Sequence, residues 1–241
     1  MINDILWLVA ARSGSKSIPD KNIKLLGEIP LLAYRIKSAI SISPNENVWI
    51  STDSEQYAEI GKQHGAVVPF IRPIELASDT ASSVDVVLHA INEAEKKGLH
   101  FKALGLLEPT SPFITFGQLQ NACELLLLNE EADSIVAVKE TRPNSFFIQQ
   151  ESMYLSELAE RLSKIKFQGR QSFKKEITPS GGFYIVKWDN FKIKKAFYTP
   201  KTMSYLVNVE NELEIDEPID WKFAEFILQS GMIQTSDLFK I

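Results

Sequence analysis

Arg12, Lys16, Lys21 and Lys24 fall within residues 12–24, a stretch with one carboxylate, Asp20, and with Ser13, Gly14 and Ser15 between its cations. Small residues let backbone N–H groups approach an anion closely, and Arg and Lys add charge-assisted contacts. A polyphosphate suits this chemistry; the composition is equally compatible with a solvated cationic turn. The stretch lacks G-x-x-x-x-G-K-[ST] and G-x-G-x-x-G, so it is neither an ATPase P-loop nor a dinucleotide fingerprint.

The other end of the chain has the opposite charge. The segment NVENELEIDEPID holds Glu210, Glu212, Glu214, Asp216, Glu217 and Asp220. If extended, alternation along ELEID turns Glu212, Glu214 and Asp216 to one side. Converging carboxylates suit Mg²⁺, which takes one or two of them and completes its shell with substrate phosphates. The alternative is an acidic loop before a helix, with Glu217 or Asp220 serving the helix N-terminus.

Two further loops carry candidate contacts. IRPIELASDTASS, residues 71–83, sets Arg72 ahead of Asp79, Thr80, Ser82 and Ser83, which are either helix caps or ligand contacts. LLEPTSPF places Glu108 and a proline-stiffened turn around Thr110 and Ser111. His64, His89 and His100 share no motif and are not expected to be catalytic, and Cys123 reads as a buried thiol.

Positioning these loops falls to alternating elements. DILWLVAA, apolar on both faces, predicts a buried strand, followed by the helix PLLAYRIKSAI, the strand NVWIST ending before Asp53, and the helix SEQYAEIGKQHG. AVVPFI predicts a third strand, SSVDVVLHAINEAEKKG a helix, and FKALGLLE and DSIVAVKE two strands around the helix FGQLQNACELLLLN. The pattern implies βαβ units and a mostly parallel α/β sheet, whose chemistry gathers at the carboxyl ends of the strands. Residues 12–22, Asp53, 71–83 and 108–112 all follow predicted strands and are expected on one edge. The alternation fails over residues 140–181, which read as an excursion forming a lid or a dimerisation arm; the fold resumes at GFYIVKW and SYLVNV and closes on the helix DWKFAEFILQS.

Composition narrows the class. The 241 residues carry a net charge of -5, which argues against nucleic-acid and anionic-membrane binding. One cysteine excludes a disulfide framework. The opening apolar run is too short for a membrane span and lacks a signal-peptide pattern, so the chain is expected to be cytoplasmic.

ARSGSKSIPDKN, LGEIPLLAYRIKSA, STD, RPIELASDTASS and LLEPTSPF resemble the CMP-sialic acid synthetases (acylneuraminate cytidylyltransferases), in that family's order and spacing over residues 5–115. EIDEPIDWKFAEFIL resembles the family's closing segment more loosely. The resemblance implies a Rossmann-like, GT-A-like nucleotidyltransferase fold, one domain over residues 1–241, dimeric through the excursion. It implies transfer of CMP from CTP to the anomeric hydroxyl of a nonulosonic acid, dependent on Mg²⁺ with Mn²⁺ able to substitute. By the same resemblance Arg12, Ser15, Lys16, Lys21, Asn22, Arg72, Ala81 and Ser83 match CTP-holding positions, with Arg12, Lys21 and Asp216 the implied catalytic set. Asp216 matches the metal-binding aspartate with Glu214 as second ligand, and Glu108 and Arg170 fall on the sugar side.

Three departures stand out. The family commonly has Gln where this chain has Glu108, Asp where it has Glu214, and Arg where it has Thr178. One anion gained and one cation lost near the sugar point to an acid other than plain N-acetylneuraminic acid, including one bearing an amine. Other readings are a nucleotidyltransferase of this fold for a different 2-keto-3-deoxy acid or another nucleotide, and an inactive nucleotide-binding homologue. No side chain stands out as a general base.

Overall fold

The computed structural model describes residues 1–141, 156–163 and 176–240. A six-stranded sheet runs through it in the order β4-β1-β5-β7-β6-β8, with β1 Ile5–Ala10, β4 Val48–Ser51, β5 Ala103–Leu107, β6 Ser134–Thr141, β7 Glu176–Lys187 and β8 Thr202–Leu206. Strands β4, β1 and β5 are parallel, β7 runs against both β5 and β6, and β8 is parallel to β6. The minor strands β2 (Leu25–Leu26) and β3 (Ile29–Pro30) pair as a small ribbon.

Both faces of the sheet are covered around β1, β4 and β5, which is why those strands are buried almost throughout. Ile5, Trp7 and Val9 of β1 point to one face and join Leu32, Ala33 and Ile36 of α1 (Leu31–Ile40) and Leu119, Ala122, Cys123 and Leu126 of α4 (Phe116–Leu128). Leu6 and Leu8 point to the other and meet Val87, Ala90, Ile91 and Ala94 of α3 (Ser83–Lys96) with Trp188 and Phe191 of α6 (Trp188–Lys194). A Cβ at Gly105 would stand 2.4 Å from the Trp7 ring, so only glycine lets that indole lie across β5.

A third cluster places the acidic segment. Leu31 and Tyr34, on the far stripe of α1, pack with Ile215, Phe113, and Trp221, Ala224 and Ile227 of α7 (Pro218–Gln229), closed by Leu238 and Phe239 at and after α8 (Thr235–Leu238). With Ile215 fully buried, its neighbours Glu214 and Asp216 are turned out to the cleft.

The helix ends follow the sequence signals. Ser54 caps α2 (Glu55–Gln63) by accepting from Tyr57 N–H at 3.4 Å, and Gly65, with φ of 95°, closes it. Ser82 caps α3, accepting from Asp85 N–H at 3.1 Å. Two expectations need correction. AVVPFI is no strand of the sheet: only Val67 bridges to Trp49, because Pro69 and the turn toward Arg72 end the pairing. The ends of the expected excursion belong to the sheet, since Glu140 and Thr141 pair with Ile177 and Glu176 and β7 begins ahead of GFYIVKW. Of its interior only α5 (Ser156–Ser163) is described; the rest of the expected excursion, Arg170 included, lies outside the described residues.

Candidate active site

A cleft of about 510 Å³ opens at the carboxyl ends of β1 and β5. Its cationic wall is the loop after β1, folded by contacts of its own. Ser13 donates to Asp53 through N–H at 2.9 Å and through its hydroxyl at 2.6 Å, which ties the loop to the end of β4. Asn22 Nδ2 donates to the Arg12 carbonyl at 2.9 Å, closing the loop on itself, and Asp20 turns it with φ of 51°. Burial raises the Asp53 carboxyl, yet the Ser13 hydroxyl and N–H, with Arg72 nearby, hold it below the ordinary carboxylate range. Asp53 therefore stays ionised to brace a loop of cations.

Arg72 arrives from the turn after residue 67 and is nearly buried, with Nη2 donating to the Ser51 carbonyl at 2.5 Å and Nη1 to Leu76 O at 3.3 Å. Its Nε has no partner among the described residues, and burial lowers its pKa to about 10. A guanidinium held in this way, with a donor unspent, suits an anion arriving in the cleft. Arg12 donates to Asp79 at 2.7 Å, and Lys16 pairs with the same carboxylate. These two cations hold the Asp79 carboxyl below its ordinary value, Lys16 contributing most.

The opposite wall is acidic. Lys21, largely buried, spans the two sides: its Nζ donates to the Ile215 carbonyl at 2.8 Å and to Asp216 at 3.3 Å. The Ser17 hydroxyl also donates to the Asp216 carbonyl. Asp220 accepts from the N–H groups of Glu217 at 2.8 Å and Asp216 at 3.0 Å, so it takes the capping role offered by sequence and fixes the bend into α7. Glu214 accepts from Lys139 Nζ at 2.8 Å. Burial pushes the Glu108 carboxyl up to about 7, with Glu214 and Asp216 adding to the effect and Lys21 opposing it.

The structure brings together the residues that the resemblance assigned to the site, Arg170 excepted, whereas Lys24 lies outside the cleft over the Trp221 ring. Arg12, Ser15, Lys16, Lys21, Asn22 and Arg72 line the cleft, as do Ala81, Ser83, Glu108, Glu214 and Asp216. Arg170 cannot be placed with them, being outside the described residues. Glu212 departs from the expectation of three aligned carboxylates: it lines a neighbouring groove instead, because the chain makes a 3-10 turn at Val209–Asn211 and becomes extended only after Glu212. His64, His89 and His100 do not line the cleft, and Cys123 is buried in the core with its thiol pKa raised.

Sequence reasoning missed two partners. Lys139 lies within β6, two residues before its end, and no strand-end rule marks it. Asp79 was read as a cap or ligand contact, whereas its pairing with residues 67 and 63 positions away is a tertiary fact.

The donors at the acidic wall fit a hard divalent ion that brings its own ligands. The Asp216 side chain is 68% exposed and tied only loosely to Lys21, so it is free to turn to a cation, whereas Glu214 is committed through one oxygen to Lys139. Among the described residues no three His, Cys, Asp or Glu side chains form a ready metal cage. One carboxylate with phosphates and waters is the usual arrangement for Mg²⁺.

Comparison with known proteins agrees with this geometry. The family described as Cytidylyltransferase matches residues 6–236. The chain is 32% identical over 240 residues to the N-acylneuraminate cytidylyltransferase of Escherichia coli, covering all of this chain and 56% of that protein, so it spans little more than half of that relative's length. It is 31% identical to the CMP-N,N'-diacetyllegionaminic acid synthase of Legionella pneumophila, over 93% of this chain and 96% of that one. A solved CMP:2-keto-3-deoxy-manno-octonic acid synthetase complexed with CTP superposes with a TM-score of 0.67 at 13% identity, over 94% of this chain and 98% of that one, which shows the shared fold. A cationic loop after β1 facing an acidic segment across one cleft, on a sheet of this order and with these relatives, places the chain in the cytidylyltransferase family.

Proposed function

We propose that the protein transfers CMP from CTP to the anomeric hydroxyl of a nonulosonic (sialic-type) acid and releases pyrophosphate. The observation that carries this reading is the polarity of one cleft: Arg12, Lys16 and Arg72, with Asp79 among them, line it together with Glu108, Glu214 and Asp216, and Lys21 joins the two groups. The names of the two bacterial relatives, an acylneuraminate and a legionaminate enzyme, support the sugar-acid class.

The anomeric hydroxyl gives up its proton to water as its oxygen forms a bond to the α-phosphorus, the bond from that phosphorus to the bridging oxygen breaks, and pyrophosphate leaves. Such a transfer asks the protein mainly for position and charge. Arg12, Lys16 and Arg72 receive the triphosphate and neutralise the charge that builds on the leaving pyrophosphate. Ala10, Leu76, Val86 and Leu106 give the cleft an apolar strip on which a flat base can lie. Lys21, held by the Ile215 carbonyl, sits between phosphates and acidic wall and fixes their spacing. Asp216 would hold Mg²⁺, with Glu214 available if it exchanges Lys139 for the ion; the ion supplies charge neutralisation at the transferring phosphoryl group. The reading also makes the protein a cytoplasmic homodimer whose excursion completes the sugar side.

Pyrophosphate release with CTP, Mg²⁺ and a panel of 2-keto-3-deoxy sugar acids tests it, with UTP, GTP and ATP in parallel. CTP-selective release is expected. No release with any acid, or equal use of another nucleotide, would overturn it.

A further inference from the structure

One corner of the cleft has more negative charge than its neighbours balance. Three carboxylates meet there, and two have a lysine: Asp216 has Lys21 at 3.3 Å and Glu214 has Lys139 at 2.8 Å. The Glu108 carboxylate has no ion pair and no hydrogen bond among the described residues, although it is the innermost of the three, just past the end of central strand β5.

The backbone beside it lets three oxygens draw together. A Cβ built on Gly181 would lie 2.7 Å from Glu214 Oε2, 3.3 Å from Ser111 Oγ and 3.4 Å from Glu108 Oε2, so the absence of a side chain there is what allows those oxygens to converge. Ser111 is 1% exposed and its hydroxyl has no partner among the described residues. A buried hydroxyl is usually satisfied in a finished fold, so an orphan beside an unpaired carboxylate points to a group that arrives from outside. The floor beneath is rigid: Arg35, fully buried, donates to the Gly182 carbonyl at 3.0 Å and the Ile114 carbonyl at 3.1 Å.

A neutral amide N–H would satisfy one acceptor and leave the charge unmet. An incoming carboxylate would be repelled. A cationic nitrogen meets both needs, donating to Glu108, Glu214 and Ser111 while supplying the missing positive charge.

Resting on the proposed sugar-acid reading, we propose that the corner formed by Glu108, Ser111 and Glu214 over Gly181 selects an acid bearing a cationic nitrogen substituent, an amine or an amidine. Glu108 is then the specificity-determining residue, through its negative charge.

The test compares kcat/KM, with CTP and Mg²⁺, for N-acetylneuraminic acid and for analogues of it carrying one amine or acetamidino group at C5, C7 or C9. At least one cationic analogue is expected to surpass the parent acid. Glu108→Gln, which keeps the shape and removes the charge, is expected to cut that cationic-to-neutral ratio roughly 10- to 100-fold. Ser111→Ala reads the same corner through a second side chain and is expected to lower the ratio by a smaller factor. Turnover of N-acetylneuraminic acid at or above every cationic analogue overturns the inference alone, and so does a ratio that Glu108→Gln and Ser111→Ala both leave unchanged. No pyrophosphate from any acid overturns cytidylyl transfer itself, and this inference with it.

Discussion

Replacing Glu108 by Gln should make the empty protein more stable above neutral pH and leave it little changed in acid. Burial at the floor of the cleft, reinforced by Glu214 and Asp216, raises this carboxyl from 4.5 to about 7. Between those two pH values the folded protein keeps a proton that the unfolded chain has released, so stability falls as pH rises through the window. Each pKa unit corresponds to about 1.4 kcal/mol, which puts the full penalty above pH 7 at roughly 3 kcal/mol. Glu108 lines an open cleft and retains some water, so about 2 kcal/mol is the better expectation. Glutamine has the same shape and cannot ionise. Glu108→Gln should therefore exceed wild type by about 2 kcal/mol at pH 8, about 5 °C in Tm for a chain of this size, and by well under 1 kcal/mol at pH 5. Thermal and denaturant unfolding at both pH values, without nucleotide and with EDTA, reads the difference directly. An equal advantage at both pH values, or a loss at pH 8, would refute the idea that an unpaired, buried charge sits there.

Three further substitutions probe the rest of the cleft. Lys21→Ala removes the ammonium bonded to the Ile215 carbonyl and Asp216, and should weaken CTP binding roughly 10- to 100-fold by calorimetry; a change under about threefold would exclude a phosphate role. Asp79→Asn frees Arg12 and Lys16 from a carboxylate that competes with phosphate, so CTP should bind about two- to fivefold tighter at low salt, with the gain shrinking as salt rises. Weaker binding would make Asp79 a support of the loop instead of a competitor. Asp216→Ala should abolish turnover at limiting Mg²⁺ while the unfolding transition stays in place, because the side chain is exposed and the segment is held by Ile215; near-normal turnover there would remove Asp216 from the metal site.

Much of the site was legible because strand-end loops in a parallel sheet converge. The loop 12–22 and Glu108 were expected on one edge from alternation, and both contribute to one cleft; Arg72 reaches it although the strand expected ahead of it is no more than the Val67 bridge. Short-range signals were less uniform. Ser54, Ser82 and Asp220 cap helices as their spacing suggested, since a cap involves residues three or four apart. AVVPFI failed as a strand because its β-branched residues favour extension but cannot say whether a neighbour is free to pair. Glu212 failed for a similar reason: alternation presumes an extended chain, and the turn at Val209–Asn211 breaks it.

The amino-acid sequence alone determined the sheet's class, the opposite charges of the two ends of the chain and the family's motifs, all of which are local in the chain. It could not decide which cation meets which anion. Asp79 with Arg12 and Lys16, Lys139 with Glu214, and Lys21 with Asp216 are pairings across 63 to 195 positions. Only packing sets those distances, and at such range a difference of a few ångströms separates an ion pair from two solvated charges. The tertiary structure therefore decided that Glu108 is the carboxylate left without a lysine: the sheet buries it beside Gly181 while the folded loops spend both nearby lysines on its neighbours.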